Sequence, residues 1–404
     1  MGTHRTRNLE PLLQDCGEIV KIAFLGSRGI PARYSGFETF YEQLAVRLAS
    51  LGHQVTVYNR NHFIKDVKKL YKGVRIVSLP SINSKHLDTI SHTALSSLHA
   101  LFQGYDIAYY CIVGNSPLVW LPRMTGARTL LNVDGADWER EKWSGFARWY
   151  QRHCERLAPY TATTLIADSK VIQERYFSLY KATSVFAPYG ANVQRDAGTE
   201  ALTKWQLQSR EYILYVGRLV PENKIDLLLR AFREVPTDKR LVIVGDAPFS
   251  DTYKSLLKSL ADSRVVFTGY AFGEDYAQLS SHAYLYVQPS AIDGTRPALL
   301  DQMGFGNCIL FRNSKANMET VGDYGESFDG SLGTSSLTEK LIALIADRSR
   351  VEARRKDVRQ RVDHYYNWEW ITDFYQDMFT RLMARRPLLA YDEFLTAQST
   401  GVPK

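Results

Sequence analysis

Two cations follow one strongly apolar run of this sequence. The run Tyr212–Val216 (YILYV) is followed by Gly217, and Arg218 and Lys224 flank the point where a strand would end and a helix would begin. Arg218 offers a planar fork of donors, whereas Lys224 offers a compact point charge. Beside the free amides of a helix start, the pair would make a good receptor for a diphosphate. The plainer alternative is a surface pair without a ligand.

Two carboxylates eight residues apart, Asp293 and Asp301, form the second candidate group. Pro297 between them suits the first turn of a helix, where its missing N–H removes no hydrogen bond. The amides of residues 295–299 would then be available to a phosphate. Asp301, about one turn further, could accept from a ribose hydroxyl, and Asp293 could reach a sugar. Paired aspartates are weak evidence alone, but together with the two cations they indicate a nucleotide-sugar site.

A glycine-containing loop, Gly26–Pro31, follows the first apolar run, and Gly36 precedes the first helical pattern. Such a loop can approach a phosphate closely. Its spacing is not GxGxxG, because Arg28 occupies the position of the second glycine. An NAD-dependent oxidoreductase therefore loses its main support. A merely structural turn remains the alternative.

The composition limits the class of protein. The chain has 404 residues, of which 45% are hydrophobic and 23% charged, as expected for a globular protein of more than one domain. Its net charge of +7 suits a polyanionic partner. The densest basic run, Arg348–Arg361, lacks interleaved aromatic residues and any nucleic-acid-binding motif. We therefore predict a solvated helix face there and no nucleic-acid partner.

Metal and membrane signals are weak in this sequence. Its four cysteines have no metal-ligand spacing, which predicts a reducing environment and no structural metal. No run of 18 apolar residues occurs, and the first 18 residues lack the apolar core of a signal peptide. A cytoplasmic protein without a spanning helix is the expectation.

The elements that must position these residues form two series of β-rich runs alternating with helical patterns. The first series of predicted strands is Lys21–Leu25, Gln54–Tyr58, Val74–Leu79, Asp106–Ile112, Thr129–Val133 and Thr164–Ala167. The second is Tyr212–Val216, Leu241–Val244, Val265–Phe267, Tyr284–Val287 and Cys308–Phe311. Such continuous apolar runs are typical of parallel strands buried on both faces. They predict an α/β protein with two Rossmann-like doubly wound domains facing each other across a cleft.

The polar, turn-rich stretch Asn192–Gln208 separates the two series and is predicted to be a linker. This places an N-terminal domain at residues 19–195 and a C-terminal domain at 209–367. Phe37–Leu51 is the clearest helical pattern, with one apolar face. The tail beyond Arg386 is expected to be poorly ordered.

These motifs together resemble a known family. GRLVPENK (217–224) and the acid pair, in this order and separation, resemble the retaining glycosyltransferases of family 4, which have the two-domain GT-B fold. GSRGIPARYSGFETFYEQLA (26–45) and NVDGADWEREKW (132–143) are similar to a bacterial subgroup that includes rhamnosyltransferases of polysaccharide assembly. The resemblance extends over about residues 21–383. It implies that residues 368–386 form a helix that crosses back onto the first domain.

The resemblance also implies a role for each matching residue. Arg218 and Lys224 would neutralise the leaving diphosphate, Asp301 would bind the ribose, and Asp293 would lie near the donor sugar. Asp134 lies where many relatives carry a catalytic His or Asp. Both acids of the pair are Asp rather than Glu in this chain. The remaining donor-binding positions are Gly217, Gly269, Tyr270, Gly294, Thr295, Arg296, Pro297, Ala298 and Leu299, and those of the phosphate and acceptor loop are Gly29, Gly36, Phe37 and Glu38.

The activity implied by the resemblance is transfer of a sugar, with rhamnose favoured, from a nucleotide-diphosphate sugar to a glycan or lipid-linked saccharide. The donor would be a dTDP- or UDP-sugar, the anomeric configuration would be retained, and neither a metal nor a cofactor would be required. Two alternatives remain open. One is a non-catalytic nucleotide- or glycan-binding protein of the same fold, which the shortened acids favour. The other is a nucleotide-sugar epimerase, for which the sequence offers no evident acid and base.

A basic and aromatic stretch lies in the first domain between Trp138 and Arg156. It includes Trp149 and several arginines, and two interpretations remain open. The stretch either packs against the domain with a solvated face, or approaches a membrane surface that carries a lipid-linked acceptor. The second interpretation predicts peripheral contact with the inner face of a membrane.

Overall fold

The computed structural model describes residues 19–32, 36–64, 68–84, 87–133, 138, 145–194, 197–247 and 250–400. Its contacts divide the chain into two compact units. The first unit consists of Met1–Asn132, Cys154–Leu165 and Thr372–Phe394. The second consists of Val133–His153, Ile166–Ile371 and Leu395–Lys404.

The first sheet has eight strands. They are β1 (Lys21–Leu25), β2 (Gln54–Arg60), β3 (Leu70–Tyr71), β4 (Val74–Leu79), β5 (Ile107–Cys111), β6 (Arg128–Val133), β7 (Thr164–Ala167) and β8 (Ser184–Phe186). Their order is β3-β4-β2-β1-β5-β6-β7-β8. The β1–β2, β1–β5, β2–β4 and β5–β6 pairs are parallel, whereas the short β3 is antiparallel to β4. The order reverses between β1 and β5, so the switch point of a doubly wound sheet lies there.

The second sheet has six strands. They are β9 (Tyr212–Val216), β10 (Arg240–Val244), β11 (Val265–Gly269), β12 (Leu285–Gln288), β13 (Cys308–Arg312) and β14 (Glu326–Phe328). All pairs are parallel, in the order β11-β10-β9-β12-β13-β14. This is the Rossmann order, with its switch point between β9 and β12. The prediction of two doubly wound sheets is confirmed.

Fourteen α-helices are assigned within the described ranges. In the first half of the chain they are α1 (Gly36–Ser50), α2 (Asp88–Ala100), α3 (Ser116–Val119), α4 (Gly145–Thr161) and α5 (Lys170–Tyr180). In the second half they are α6 (Ile225–Arg233), α7 (Asp251–Leu260), α8 (Gly273–Ser281), α9 (Pro297–Gly304), α10 (Lys315–Val321), α11 (Thr334–Ala346), α12 (Arg348–Arg361), α13 (Trp368–Met383) and α14 (Tyr391–Thr400).

A cluster of aromatic side chains forms part of the core of the first unit. Phe40, which belongs to the predicted apolar face of α1, is buried, and so is the neighbouring Tyr41. The Tyr41 hydroxyl donates to the Leu25 carbonyl at 2.8 Å, which ties α1 to the end of β1. Tyr375 of α13 shares a hydrogen bond of 3.0 Å with the Tyr109 hydroxyl of β5. The residues of α13 from Thr372 onward therefore belong to the core of this unit.

The basic run Arg348–Arg361 forms α12, but the prediction of a solvated face is wrong for several of its arginines. Arg350 and Arg354 both form ion pairs with Glu326 at the start of β14. Arg355 is almost fully buried and donates to the Ala283 carbonyl and the Asn307 side chain, each at 3.0 Å. Much of the positive charge therefore holds α12 onto the second sheet.

The tail beyond Arg386 also differs from expectation. It forms α14, whose Tyr391 and Phe394 are buried. Both rings pack edge-on against Phe374 of α13, with centroid separations of 5.1 and 5.3 Å. Two aromatic residues three positions apart thus anchor a segment that composition alone suggested was disordered.

The predicted linker Asn192–Gln208 is likewise partly packed. It contains a 3-10 helix, Glu200–Trp205, whose Ala201 is buried and donates its backbone N–H to the Gln278 side chain of α8 at 2.6 Å. Across the residues that the structure describes, no helix is long and apolar enough to cross a membrane.

Candidate active site

The loop after β9 carries the two predicted phosphate-binding cations. Arg218 and Lys224 are both exposed, and Lys224 has a left-handed backbone (φ 54°) as the residue immediately before α6. A positive φ is unusual for a side chain of this kind and marks a backbone fixed by its surroundings. The buried Asn223 supplies part of that constraint, because its amide donates to the Arg218 carbonyl at 2.7 Å. Both ends of the loop are thereby fixed.

Asn223 also connects this loop to the predicted donor loop. The Arg296 guanidinium donates to the Asn223 side-chain oxygen at 3.2 Å, and Arg296 is the residue immediately before α9. A third cation therefore lies beside the start of α9. The structure brings Arg218, Asn223 and Arg296 together, which supports an anion site at the carboxyl end of β9.

Asp293 and Asp301 lie in different environments. Asp293 is exposed ahead of α9, which begins at Pro297 as predicted. Asp301 lies one turn into this helix, where burial raises the pKa of its carboxyl group to about 7. The Tyr276 hydroxyl donates to Asp301 at 3.3 Å, and this hydrogen bond opposes the effect of burial. Asp301 is therefore a carboxyl group that changes its charge near neutral pH.

Gly294 and Thr295 pack against the end of β7. The Thr295 hydroxyl donates to the Asp168 carbonyl at 2.5 Å. Gly294 has φ +96°, and a Cβ atom built on it would lie 3.4 Å from the Asp168 carboxylate. Asp168 is buried, and the sequence reading missed it. Its signal was a carboxylate directly after the strand-like run Thr164–Ala167, where ligand-site residues of parallel sheets are found.

Three glycines end adjacent strands of the second sheet. The Gly217 amide donates to the Val244 carbonyl at 3.0 Å, and the Gly245 amide donates to the Gly269 carbonyl at 2.8 Å. A Cβ atom on Gly245 would overlap the Gly217 carbonyl, so close approach of the two backbones requires glycine there. Next in the chain, Tyr270 is exposed and stacks on Phe272 at 5.8 Å. The segment that carries the predicted donor-binding residues Gly269 and Tyr270 thus presents an aromatic pair just after β11.

The glycine-containing loop of the first unit is held by a residue that the sequence reading missed. The buried side chain of Asn59 accepts from the Ile30 amide at 3.0 Å and donates to the Ile30 carbonyl at 2.7 Å. Gly29 has φ +111°, and a Cβ atom on it would overlap the Asn59 side chain. Asn59 therefore fixes the backbone of this loop from the end of β2.

Arg60, the next residue in the chain, also holds this loop in place. Its guanidinium donates to the Gly26 carbonyl at 3.2 Å and to Asp88 at 2.6 Å. Burial and the charge of Arg60 lower the pKa of the neighbouring His92 to about 4, so this histidine is neutral at physiological pH. The buried charge of Arg60 is paired with Asp88.

The remaining predicted residues of the first unit are less informative. Gly36 and Phe37 begin α1 and are partly exposed, whereas Glu38 is buried in its first turn. Asp134 and most of the segment 132–143 lie outside the described residues. In the described part of the chain, no three His, Cys, Asp or Glu side chains are grouped as metal ligands.

Comparison with known proteins finds similarity to glycosyltransferases. Residues 210–347 match the family model "Glycosyl transferases group 1", and residues 120–192 match a model described as a domain of unknown function (DUF1972). A GDP-mannose-dependent alpha-(1-6)-phosphatidylinositol monomannoside mannosyltransferase of Mycolicibacterium smegmatis is 26% identical over 377 residues, which cover 86% of this chain and 95% of that protein.

Solved structures agree on the fold. Sucrose-phosphate synthase of Thermosynechococcus elongatus matches with a TM-score of 0.77 at 19% identity, over 91% of this chain and 100% of that one. HepE of Anabaena, in complex with UDP and glucose, matches with a TM-score of 0.73 at 16% identity, over 89% and 99%. These likenesses show the two-domain GT-B fold.

The fold is GT-B. Together with the similarity of residues 210–347 to the group 1 model, it supports a glycosyltransferase that uses a nucleotide-sugar donor. The β9–α6 loop and the acid pair both lie within the segment that matches the group 1 model.

Proposed function

We propose that the protein is a retaining, metal-independent glycosyltransferase that moves rhamnose from a dTDP- or UDP-sugar to a glycan or lipid-linked saccharide. The observation that carries the donor half of this proposal is the cation group around Asn223. Arg218 and Lys224 lie on a fixed loop, and Arg296 is hydrogen-bonded to the same asparagine. Preorganised cations of this kind stabilise charge that develops on a leaving diphosphate.

In the proposed reaction an acceptor hydroxyl attacks the anomeric carbon on the face from which the diphosphate departs. The bond between that carbon and the phosphate oxygen breaks, and its electron pair remains on the diphosphate. A diphosphate oxygen takes the acceptor proton, so no protein nucleophile is required. Arg218 and Lys224 neutralise the leaving group, and Asp301 would hold the ribose hydroxyls, with a deoxyribose offering only its 3′-hydroxyl. The roles of Asp134 and Asp293 beside the sugar are part of the same proposal.

The donor is identified by a thermal-shift panel of UDP, dTDP, GDP and ADP without added metal. A ligand present at 100 times its Kd adds about 2.7 kcal/mol to the free energy of unfolding. We expect one nucleotide to raise the melting temperature by several degrees. The shift should disappear in Lys224→Ala and persist in Lys258→Ala, which removes an exposed lysine of α7. If no nucleotide produces a shift, the donor site is assigned wrongly.

The metal independence has a separate test. We expect donor hydrolysis by the purified protein to continue unchanged after EDTA treatment, because arginine and lysine take the place of a divalent cation at the diphosphate. Hydrolysis that stops with EDTA and returns with Mg²⁺ or Mn²⁺ would contradict this part of the proposal. The anomer that forms first, read by NMR, reports whether configuration is retained.

The acceptor half of the proposal includes peripheral contact with a membrane. A lipid-linked saccharide brings its enzyme to a bilayer surface, and Trp149 in the basic stretch of α4 is more than half exposed. Non-catalytic binding and epimerisation remain the alternatives. Release of free sugar from the donor would exclude the first, and the identity of that sugar would test the second.

A further inference from the structure

Three connections between strands of the first sheet, β4 to β5, β5 to β6 and β6 to β7, leave large apolar side chains exposed. The chain passes from β4 through α2 to β5, and from β5 through α3 and a 3-10 helix, Leu121–Thr125, to β6. Both steps move in the same direction along the sheet order. Crossovers between parallel strands are almost always right-handed, so α2 and the 3-10 helix lie on the same face of the sheet.

The C-terminal half of α4 adjoins the same 3-10 helix. Arg123 donates to the carbonyl of Thr161 at 3.3 Å and to that of Tyr160 at 3.5 Å. We call the exposed surface of these three neighbouring elements the outer face. The large apolar side chains exposed on these elements or within two residues of their ends include Leu95, Leu98, Phe102, Trp120, Met124, Leu157 and Tyr160.

The exposure of the outer face is unusual for a globular protein. Phe102 is 84% exposed, Met124 68% and Tyr160 77%. Single exposed apolar residues need no explanation, but a group of them on adjoining elements marks an interaction surface.

Exposed aromatic side chains also continue along α4 towards its N-terminus. Phe146 and Trp149 precede Leu157 and Tyr160 by 11 residues each, which is close to three helical turns, so they share one side of the helix. Phe146 and Trp149 are exposed and stack on each other with ring centroids 5.3 Å apart. An aromatic stripe therefore runs along the length of α4.

The charges beside this stripe are positive. Arg123 on the 3-10 helix and Arg152 and Arg156 on α4 are exposed. The only carboxylate of α4, Glu155, is buried, and the carboxylate of α2, Asp88, is paired with Arg60. Within the described residues of α2, the 3-10 helix and α4, no acidic side chain is exposed.

We propose that the outer face docks onto an anionic lipid bilayer. The inference rests on the proposed function, because a lipid-linked acceptor gives the contact its purpose, and it names the surface and the charge of the lipid. Tryptophan and tyrosine prefer the interface of a bilayer, and exposed arginines are attracted to anionic headgroups. A second copy of the chain fits less well, since a two-fold interface would oppose these arginines to one another.

Cosedimentation of the full chain with vesicles tests the proposal. We expect binding to vesicles of phosphatidylcholine and phosphatidylglycerol at low salt, and much weaker binding to phosphatidylcholine alone. Replacing Arg123 and Arg156 by Ala should lower binding about fivefold for each arginine. The combined change Phe102→Ser, Met124→Ser and Tyr160→Ser should abolish it. Leu332→Ser, which alters a similarly exposed residue of the second unit, serves as the control and should bind like the wild type.

Each variant is also tested for its melting temperature and for donor hydrolysis, which none of these side chains is placed to affect. Active protein that does not bind anionic vesicles would overturn the docking proposal and leave the proposed function standing. Binding that survives the triple substitution would show that another surface is responsible. If the protein is a dimer in solution and the triple substitution makes it monomeric, the outer face binds a second copy of the chain instead. Protein that binds anionic vesicles but does not hydrolyse the donor would support the docking surface and count against the proposed function.

Discussion

Arg218→Ala and Lys224→Ala should each lower donor turnover by about 100- to 1,000-fold, the usual cost of losing one preorganised donor to a developing negative charge. Both side chains are exposed, so their removal opens no cavity and should leave the melting temperature of the free protein unchanged. The measurement is the rate of sugar release from the donor that the nucleotide panel identifies.

Two further variants make this experiment specific. Lys258→Ala removes an exposed lysine of the same unit and should retain full turnover. Asn223→Ala removes the side chain that holds the Arg218 carbonyl and the Arg296 guanidinium, so it should reduce turnover without removing a charge. Wild-type turnover in Lys224→Ala would remove that residue from the site, and wild-type turnover in both charge variants would remove the diphosphate assignment altogether.

Affinity for the donor should fall as the pH drops below 7, by up to about tenfold for each pH unit. The cause is the Asp301 carboxyl group, whose pKa burial raises to about 7. Below that pH the group is neutral and accepts less strongly from ribose hydroxyls, and binding must then be accompanied by loss of its proton. Binding is measured with the intact nucleotide sugar, because its diphosphate has no ionisation near neutral pH.

Asp301→Asn tests this prediction in two ways. The variant should bind the donor weakly at every pH, and its affinity should not change between pH 6 and 8, a window chosen to span the raised pKa. The stability of the free protein should depend on pH in the opposite sense and fall as the pH rises. Folded Asp301 has a higher pKa than unfolded Asp, about 4, so its contribution to stability decreases as the pH rises from 4 to 7. Asp301→Asn should therefore melt higher than the wild type at pH 8. A persistent pH dependence in the variant would assign the titration to another group.

The strands were predictable because their signal is local. Lys21–Leu25, Val74–Leu79 and Tyr212–Val216 match the observed strands residue for residue, since each is a β-rich run of five or six residues. Three observed strands are only two or three residues long, too short for a hydrophobic period to be recognised in the sequence. They are Leu70–Tyr71, Ser184–Phe186 and Glu326–Phe328. The start of α9 at Pro297 followed from the fixed φ of proline, which is again a local property.

The supports of the site were not predictable, because they depend on residues distant in sequence. Asn59 holds Ile30 across 29 positions, and Thr295 donates to Asp168 across 127. Neither Asn59 nor Asp168 belongs to a motif, and only the adjacency of β1 with β2, and of the α9 loop with β7, gives them a role. The arginines of α12 were misread for the same reason, since the partner Glu326 lies 24 residues before Arg350.

The pair of hydrogen bonds between Asn59 and Ile30 has a consequence for exchanging parts between related enzymes. A loop that folded by its own turn residues could be transplanted as a short cassette. Here an amide side chain on β2 substitutes for a backbone partner, and Gly29 leaves the space that this side chain fills. The transferable unit is therefore Gly26–Pro31 together with Asn59 and Arg60, and a graft of the loop sequence alone would not reproduce its conformation.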